Sequence, residues 1–227
     1  MGEGLHPDTP PFDRVRVDRE LPQEARAWGR ILDVSALEAG DLLLFRPASS
    51  SLDRISKSIV EAQARGGFPE RHARWTHAAV YLGDDEHICE ANFGIIGFPR
   101  GVILRSVHSY CDGVHVIRAR RPRNMTPQQR LRIAIGALRN LRRSYSFKQV
   151  FDFYVAAASG RGFWSAMPRG PRIRVRALVC STLYQDAYNF AHHGTRVLLG
   201  TLSTPAHLSA SADFEADEPE LRWRLIE

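Results

Sequence analysis

The sequence predicts an α+β domain in which an antiparallel sheet packs against helices, with a cysteine at the N-terminus of one helix. Three observations lead there. Two apolar runs at residues 76–83 and 87–92 flank the polar turn Asp84-Asp85-Glu86, which is the pattern of a hairpin. From Thr126-Pro127 onward, apolar residues recur at helical spacing behind a hydroxyl cap and a first-turn proline. Ala177-Leu178-Val179 then runs into Cys180, after which Leu183, Tyr184, Ala187, Tyr188 and Ala191 keep the helical period.

Composition bounds the function classes. A chain of 227 residues with 44% hydrophobic and 25% charged residues suits one globular domain with a full core. No apolar run approaches the length of a membrane span, about 18 residues. Residues 1–8 lack the basic flank and apolar stretch of a secretory signal, so a cytoplasmic protein is expected, with signal-independent export left open. Three cysteines, Cys89, Cys111 and Cys180, show no Cys-x-x-Cys spacing, and reduced thiols are expected. The net charge of +6 suits an anionic surface such as cell wall or lipid. It is spread along the chain without stacking or finger motifs, which argues against specific nucleic-acid binding. The nine histidines include no zinc-ligand pattern, so neither metal nor cofactor is expected.

Residues 1–27, rich in Pro, Asp, Glu and Arg, read as a flexible arm, and residues 28–227 as the single domain. Asp41-Leu42-Leu43-Leu44-Phe45 reads as a strand ended by Pro47. Ser49 to Ser51 then offer a cap for a helix carrying Ile55, Ile59, Val60 and Ala62 up to Gly66-Gly67. Val102-Ile103-Leu104 and residues 113–118 read as further strands. Alternation of Val114, Val116 and Arg118 suggests a sheet with one solvated face. In the helix after Pro127 the apolar stripe reads Leu131, Ala134, Ile135, Leu138 and Leu141, and a second helix is expected over 147–160. The loop 160–171, with Phe163, Trp164 and Met167 among arginines, reads either as a lid or membrane-touching loop or as a segment pinned to the core. Thr204-Pro205 starts a short capped turn, 215–219 an acidic solvated linker, and Leu221, Trp223 and Leu225 alternate along a last strand.

The chemistry centres on Cys180. A thiol at a helix start meets free amides and the positive end of the macrodipole, both of which favour the thiolate, the nucleophilic form. The plainer alternative is a buried cysteine acting as a small hydrophobe. His77 on the first hairpin strand lies across from residues 90–92 of the second. Glu90 and Asn92 share a face there, and either is in place to fix the imidazole of a catalytic base. Cys89 points to the opposite face of its strand and reads as core.

In order along the chain, Gly40-Asp41-Leu42-Leu43-Leu44-Phe45, Thr76-His77-Ala78-Ala79-Val80-Tyr81-Leu82-Gly83, Ile88-Cys89-Glu90-Ala91, Val179-Cys180-Ser181-Thr182-Leu183 and Thr204-Pro205-Ala206-His207-Leu208 resemble the YiiX/YebB-like branch of the NlpC-type cysteine peptidases. The resemblance covers about residues 37–215 and departs in one respect, a hairpin loop one residue longer than the usual pattern. It implies a circularly permuted papain-like fold, a half-barrel sheet against helices, in which histidine precedes cysteine. It also implies Cys180 as nucleophile, His77 as base, Glu90 as the residue orienting the histidine, and Tyr145 as the tyrosine that helps polarise the substrate carbonyl. The implied activity is amide hydrolysis of a short peptide, such as one derived from bacterial cell wall, with no cofactor. Two alternatives stand beside it: a thiol acyltransferase or lipase resembling the lecithin retinol acyltransferase group, and a non-catalytic binding module that keeps the fold.

Overall fold

The hairpin lies within the main sheet of a computed structural model that describes residues 3–48, 54–92, 101–145, 177–192 and 203–227. Strands β4 (His77–Tyr81) and β5 (His87–Asn92) pair antiparallel, with Ala79 opposite Glu90 and Tyr81 opposite Ile88. Asp84 ties the turn: its carboxylate accepts from the backbone N–H groups of Glu86 and His87 at 3.3 and 2.7 Å. Strands β3 (Leu42–Pro47), β6 (Gly101–Ser106) and β7 (His115–Arg120) complete an antiparallel sheet of order β6-β5-β4-β3-β7. Just before β3 the buried Asp41 accepts from the Arg121 guanidinium at 3.1 and 2.8 Å and from the Glu38 backbone N–H at 2.9 Å.

Both faces of this sheet are covered, which corrects the expectation of a solvated face. Strand β7 is buried at every position from Val116 to Arg120. Its arginines tolerate this because most of their donors are satisfied, Arg120 Nε being the buried exception. Arg118 grips Glu218 through two guanidinium nitrogens and donates to Ser209 Oγ at 2.7 Å. Arg120 donates to the carbonyls of Leu208, Ser209 and Ser211. Glu218 is therefore anchored, although it belongs to the stretch expected to be a solvated linker.

One face carries helices. Helix α2 (Arg54–Arg65) and the short α3 (Glu70–Ala73) connect β3 to β4. Helix α4 (Pro127–Leu138) begins with a reciprocal cap between Thr126 and Gln129. It packs on α5 (Cys180–Ala191), and Leu42, Leu44, Ala78, Val80 and Cys89 of the sheet share a core with Ile133, Ala137, Leu183, Tyr184 and Ala187. The face of α4 differs from the predicted stripe. Ile133, Ala134, Gly136 and Ala137 face inward, while Leu131 and Ile135 are 49% and 44% exposed. Small residues allow the close crossing: a Cβ on Gly136 would stand 2.9 Å from the Ala187 carbonyl oxygen. Helix α6 (Pro205–Ala210) is capped by Thr204, whose hydroxyl accepts from the His207 N–H at 3.3 Å.

The other face is covered by residues expected to form a flexible arm. Leu5 exchanges backbone hydrogen bonds with Ile117, and Leu5, Leu21 and Ala25 are buried with Phe45, Tyr81 and Trp223. Strand β1 (Asp13–Val15) pairs parallel with β10 (Arg222–Ile226), which pairs antiparallel with β2 (Arg30–Asp33); α1 (Gln23–Trp28) packs beside them. Trp223 is fully buried and donates its indole N–H to the His6 carbonyl at 2.8 Å. Few apolar residues suffice here because backbone pairing supplies the remaining cohesion. The expected cap at 49–51, the 147–160 helix and the 160–171 loop lie outside the described residues. The strand between β7 and α5 that can be described is a two-residue pair, β8 (Ser144–Tyr145) parallel to β9 (Ala177–Leu178).

Candidate active site

Cys180 is the first residue of α5, 8% exposed, preceded by the extended N-cap Val179. The side chain of Thr182 turns back to close the cap, accepting from the Val179 N–H and donating to its carbonyl, both at 3.0 Å. The first turn holds no acidic residue to neutralise the helix terminus. A second staple fixes the same turn: Ser181 Oγ donates to the Ser203 carbonyl at 2.6 Å and Ser203 Oγ to the Ser181 carbonyl at 3.0 Å. The turn that carries Cys180 is thus held from the segment leading into α6 as well as from its own helix.

His77 is the first residue of β4, so its ring stands at the strand end, where α5 begins. Its Nε2 lies 2.7 Å from Glu90 Oε2. Cys180 lies close enough to the same imidazole to act on its charge, and with Nε2 facing Glu90 the nitrogen left for the sulfur is Nδ1. Burial disfavours the charged ring, but the charge of Cys180, that of Glu90 and the hydrogen bond to Glu90 outweigh it and push the His77 pKa up to about 10. The side chain keeps 21% exposure, so the ring is reachable.

Glu90 is fully buried. Burial opposes its ionisation, yet the charge and hydrogen bond of His77, the Tyr110 hydroxyl and the Arg105 charge hold its carboxyl below the ordinary range. Continuing the hairpin register sets Asn92 opposite His77 and Glu90 two pairs further along, and it is the diagonal neighbour, Glu90, whose carboxylate contacts the ring. Of the two candidates left open by the sequence, the geometry selects Glu90.

Tyr110 is the residue that sequence reasoning missed. It closes a single 3-10 turn, Val107–Tyr110, after β6, and its hydroxyl donates to Glu90 Oε2 at 2.6 Å. Its ring stacks on Phe45 at 3.9 Å between centroids, and the Arg105 guanidinium lies over it at 5.2 Å. Tyr145, expected as a carbonyl-polarising residue, pairs through its backbone with Leu178, two residues before Cys180; its side chain lies outside the described residues.

The remaining cysteines differ from Cys180. Cys89 is buried on the helix side of the sheet, and burial, with the Glu90 charge adding to it, pushes its thiol up to about 12. Cys111 is buried 3.9 Å from His108 Nδ1, and burial raises its thiol further. Among the described residues no group of three or more His, Cys, Asp or Glu could hold a metal ion, and no helix is long and apolar enough to cross a membrane. A cavity of ≈ 400 Å³ opens elsewhere, between residues 15–19, β2 and Arg224, and includes none of the three clustered side chains. No protein-family model matches the chain, and no curated protein matches it.

Proposed function

We propose that the chain is a cysteine hydrolase that cleaves an amide bond through a thioester on Cys180. The observation that carries this is one imidazole, that of His77, hydrogen-bonded to a fully buried carboxylate on a strand packed against the helix that begins with Cys180, whose charge acts on the same ring. A base needs its ring fixed by a third group, and a thiol needs a partner that stabilises its anion; one arrangement supplies both. The motif order adds support for a circularly permuted papain-like arrangement, with the histidine strand preceding the cysteine helix.

The thiolate of Cys180 attacks the carbonyl carbon, and the carbonyl electron pair moves to oxygen. The backbone N–H of Cys180, at the positive end of α5, stabilises that oxyanion, with Tyr145 as second donor where the family resemblance puts one. Collapse breaks the C–N bond as His77 delivers its proton to the leaving amine. Water, deprotonated by His77, then attacks the thioester carbon and releases a carboxylic acid, which restores the sulfur–imidazole pair. The substrate class implied by the resemblance is a short peptide, such as a cell-wall fragment.

The test is covalent trapping. The protein is incubated with short peptides, cell-wall peptides and acyl lipids, and acyl adducts are read by intact mass and localised. An adduct on Cys180 from peptides, absent in Cys180→Ser and slowed about a hundredfold or more in His77→Ala, is expected. Adducts from acyl lipids alone would replace amide hydrolysis with lipid acyl transfer. No adduct from any of these would leave a binding module.

A further inference from the structure

On the reading that Cys180 is the nucleophile, we infer that Tyr110 is the positioning residue of this site: its hydroxyl fixes the Glu90 carboxylate, which in turn fixes the His77 ring against the sulfur. Both donors converge on a single oxygen, Glu90 Oε2, with Tyr110 Oη at 2.6 Å and His77 Nε2 at 2.7 Å. The other oxygen, Oε1, is buried and makes no hydrogen bond among the described residues, and the Arg105 guanidinium stands 3.8 Å from it. That distance exceeds a hydrogen bond but leaves a strong attraction. A small rotation of the carboxylate toward Arg105 would take Oε2 away from His77. The phenol opposes that rotation.

Tyr110 is suited to the task. Its side chain is locked between Phe45 and Arg105, so the hydroxyl is aimed with little freedom. Burial, and after it the Glu90 charge, holds the phenol well above its usual value, so it remains a donor. The charged and titratable groups facing the pair are His77 on β4, Arg105 on β6, Cys180 on α5 and His115 on β7, which meets the Tyr110 ring edge-on at 5.2 Å; Glu24 of α1 lies 3.6 Å from Arg105. None of these donates to Oε2 except His77 itself.

The experiment measures alkylation of Cys180 by iodoacetamide against pH on the folded chain, comparing wild type, Tyr110→Phe, Glu90→Gln and the double variant. Tyr110→Phe keeps the ring and its stacking. It is expected to raise the midpoint of the alkylation profile and slow the neutral-pH rate about tenfold, the scale of one hydrogen bond to a charged group. In the Glu90→Gln background the same change is expected to alter the rate by less than about twofold, because the two residues act as one unit. A purely structural tyrosine would lower the melting temperature without moving the midpoint. A Tyr110→Phe profile superimposable on wild type, or an equal effect in both backgrounds, overturns the inference alone. A wild-type midpoint near the ordinary thiol value of about 8.5 overturns the hydrolase reading and this inference with it. Should Tyr110→Phe not fold, fluorotyrosine placed at position 110 gives a stronger donor; the midpoint should then fall, and an unmoved midpoint overturns the inference.

Discussion

Replacing Glu90 with glutamine tests whether the buried carboxylate holds His77 by charge or merely by shape. Glutamine keeps the volume and one acceptor oxygen but removes the charge. Two hydrogen bonds at 2.6 and 2.7 Å change from charge-assisted to neutral. A bond to a charged group contributes about 1.5–3 kcal/mol and a neutral one about 1, so losing the charge across two bonds costs about 2 kcal/mol. The cost has a pH window. Glu90 ionises below its ordinary value of 4.5, so its contribution is present above that value and is lost as pH falls through the lower folded one. His77 is raised from 6.5 to about 10, so its contribution is full below 6.5 and is lost as pH rises toward 10. The gap between wild type and Glu90→Gln should therefore be widest between these two ordinary values and narrow on both sides. Urea unfolding at a series of pH values measures it, as the midpoint difference multiplied by the slope. Equal stability in that window, or a gap independent of pH, would refute the account of Glu90 and His77 as an ion pair.

Three further outcomes follow from the packing. Brief treatment of the native protein with iodoacetamide should add one adduct, on Cys180, and treatment after unfolding should add three, because Cys89 and Cys111 are buried thiols with raised pKa values; peptide mapping that finds native labelling at Cys89 would contradict this. Gly136→Ala would gain about 1 kcal/mol of helix propensity but force a Cβ to 2.9 Å from the Ala187 carbonyl, overpacking that costs about 1–3 kcal/mol, so a lower melting temperature is expected and a higher one counts against the close crossing. Leu5→Ala should cost about 2 kcal/mol or more by urea unfolding, since Leu5 is 8% exposed beneath the sheet, whereas a loose arm would give almost nothing.

What was legible in the sequence depended on periodicity. The hairpin at 77–92 is two apolar runs around a polar turn, and capping chemistry alone marks a helix start at Thr126-Pro127 and a capped turn at Thr204-Pro205, so these elements fall where expected. Cys180 lies at a helix N-terminus because an apolar run changes period there. Choosing between Glu90 and Asn92 needed the register, which a turn leaves uncertain by a residue. The stripe read for α4 misses part of its buried face because counting large aliphatic residues overlooks Gly136 and Ala137, which bury by being small. Strand β7 concealed its second buried face because arginine reads as solvent-facing until its partners, Glu218 and the carbonyls ending α6, are known. Tyr110 had no pattern to announce it: it lies 20 residues from Glu90 in a turn without alternation.

The paired Asp41 and Arg121 have a consequence for how the central strand finds its place. Leu42-Leu43-Leu44 offers nearly the same side chain to both cores, so a slip of β3 by one residue would leave the oil unchanged on either side. Hydrophobicity therefore says little about where this strand stops sliding. Beside the Leu42–Arg120 rung, the carboxylate of Asp41 clasps the guanidinium of Arg121, and only one alignment brings them together without stranding a charge in the interior. That clasp acts as a detent for β3, and Phe45 and the adjoining His77 inherit their positions from it.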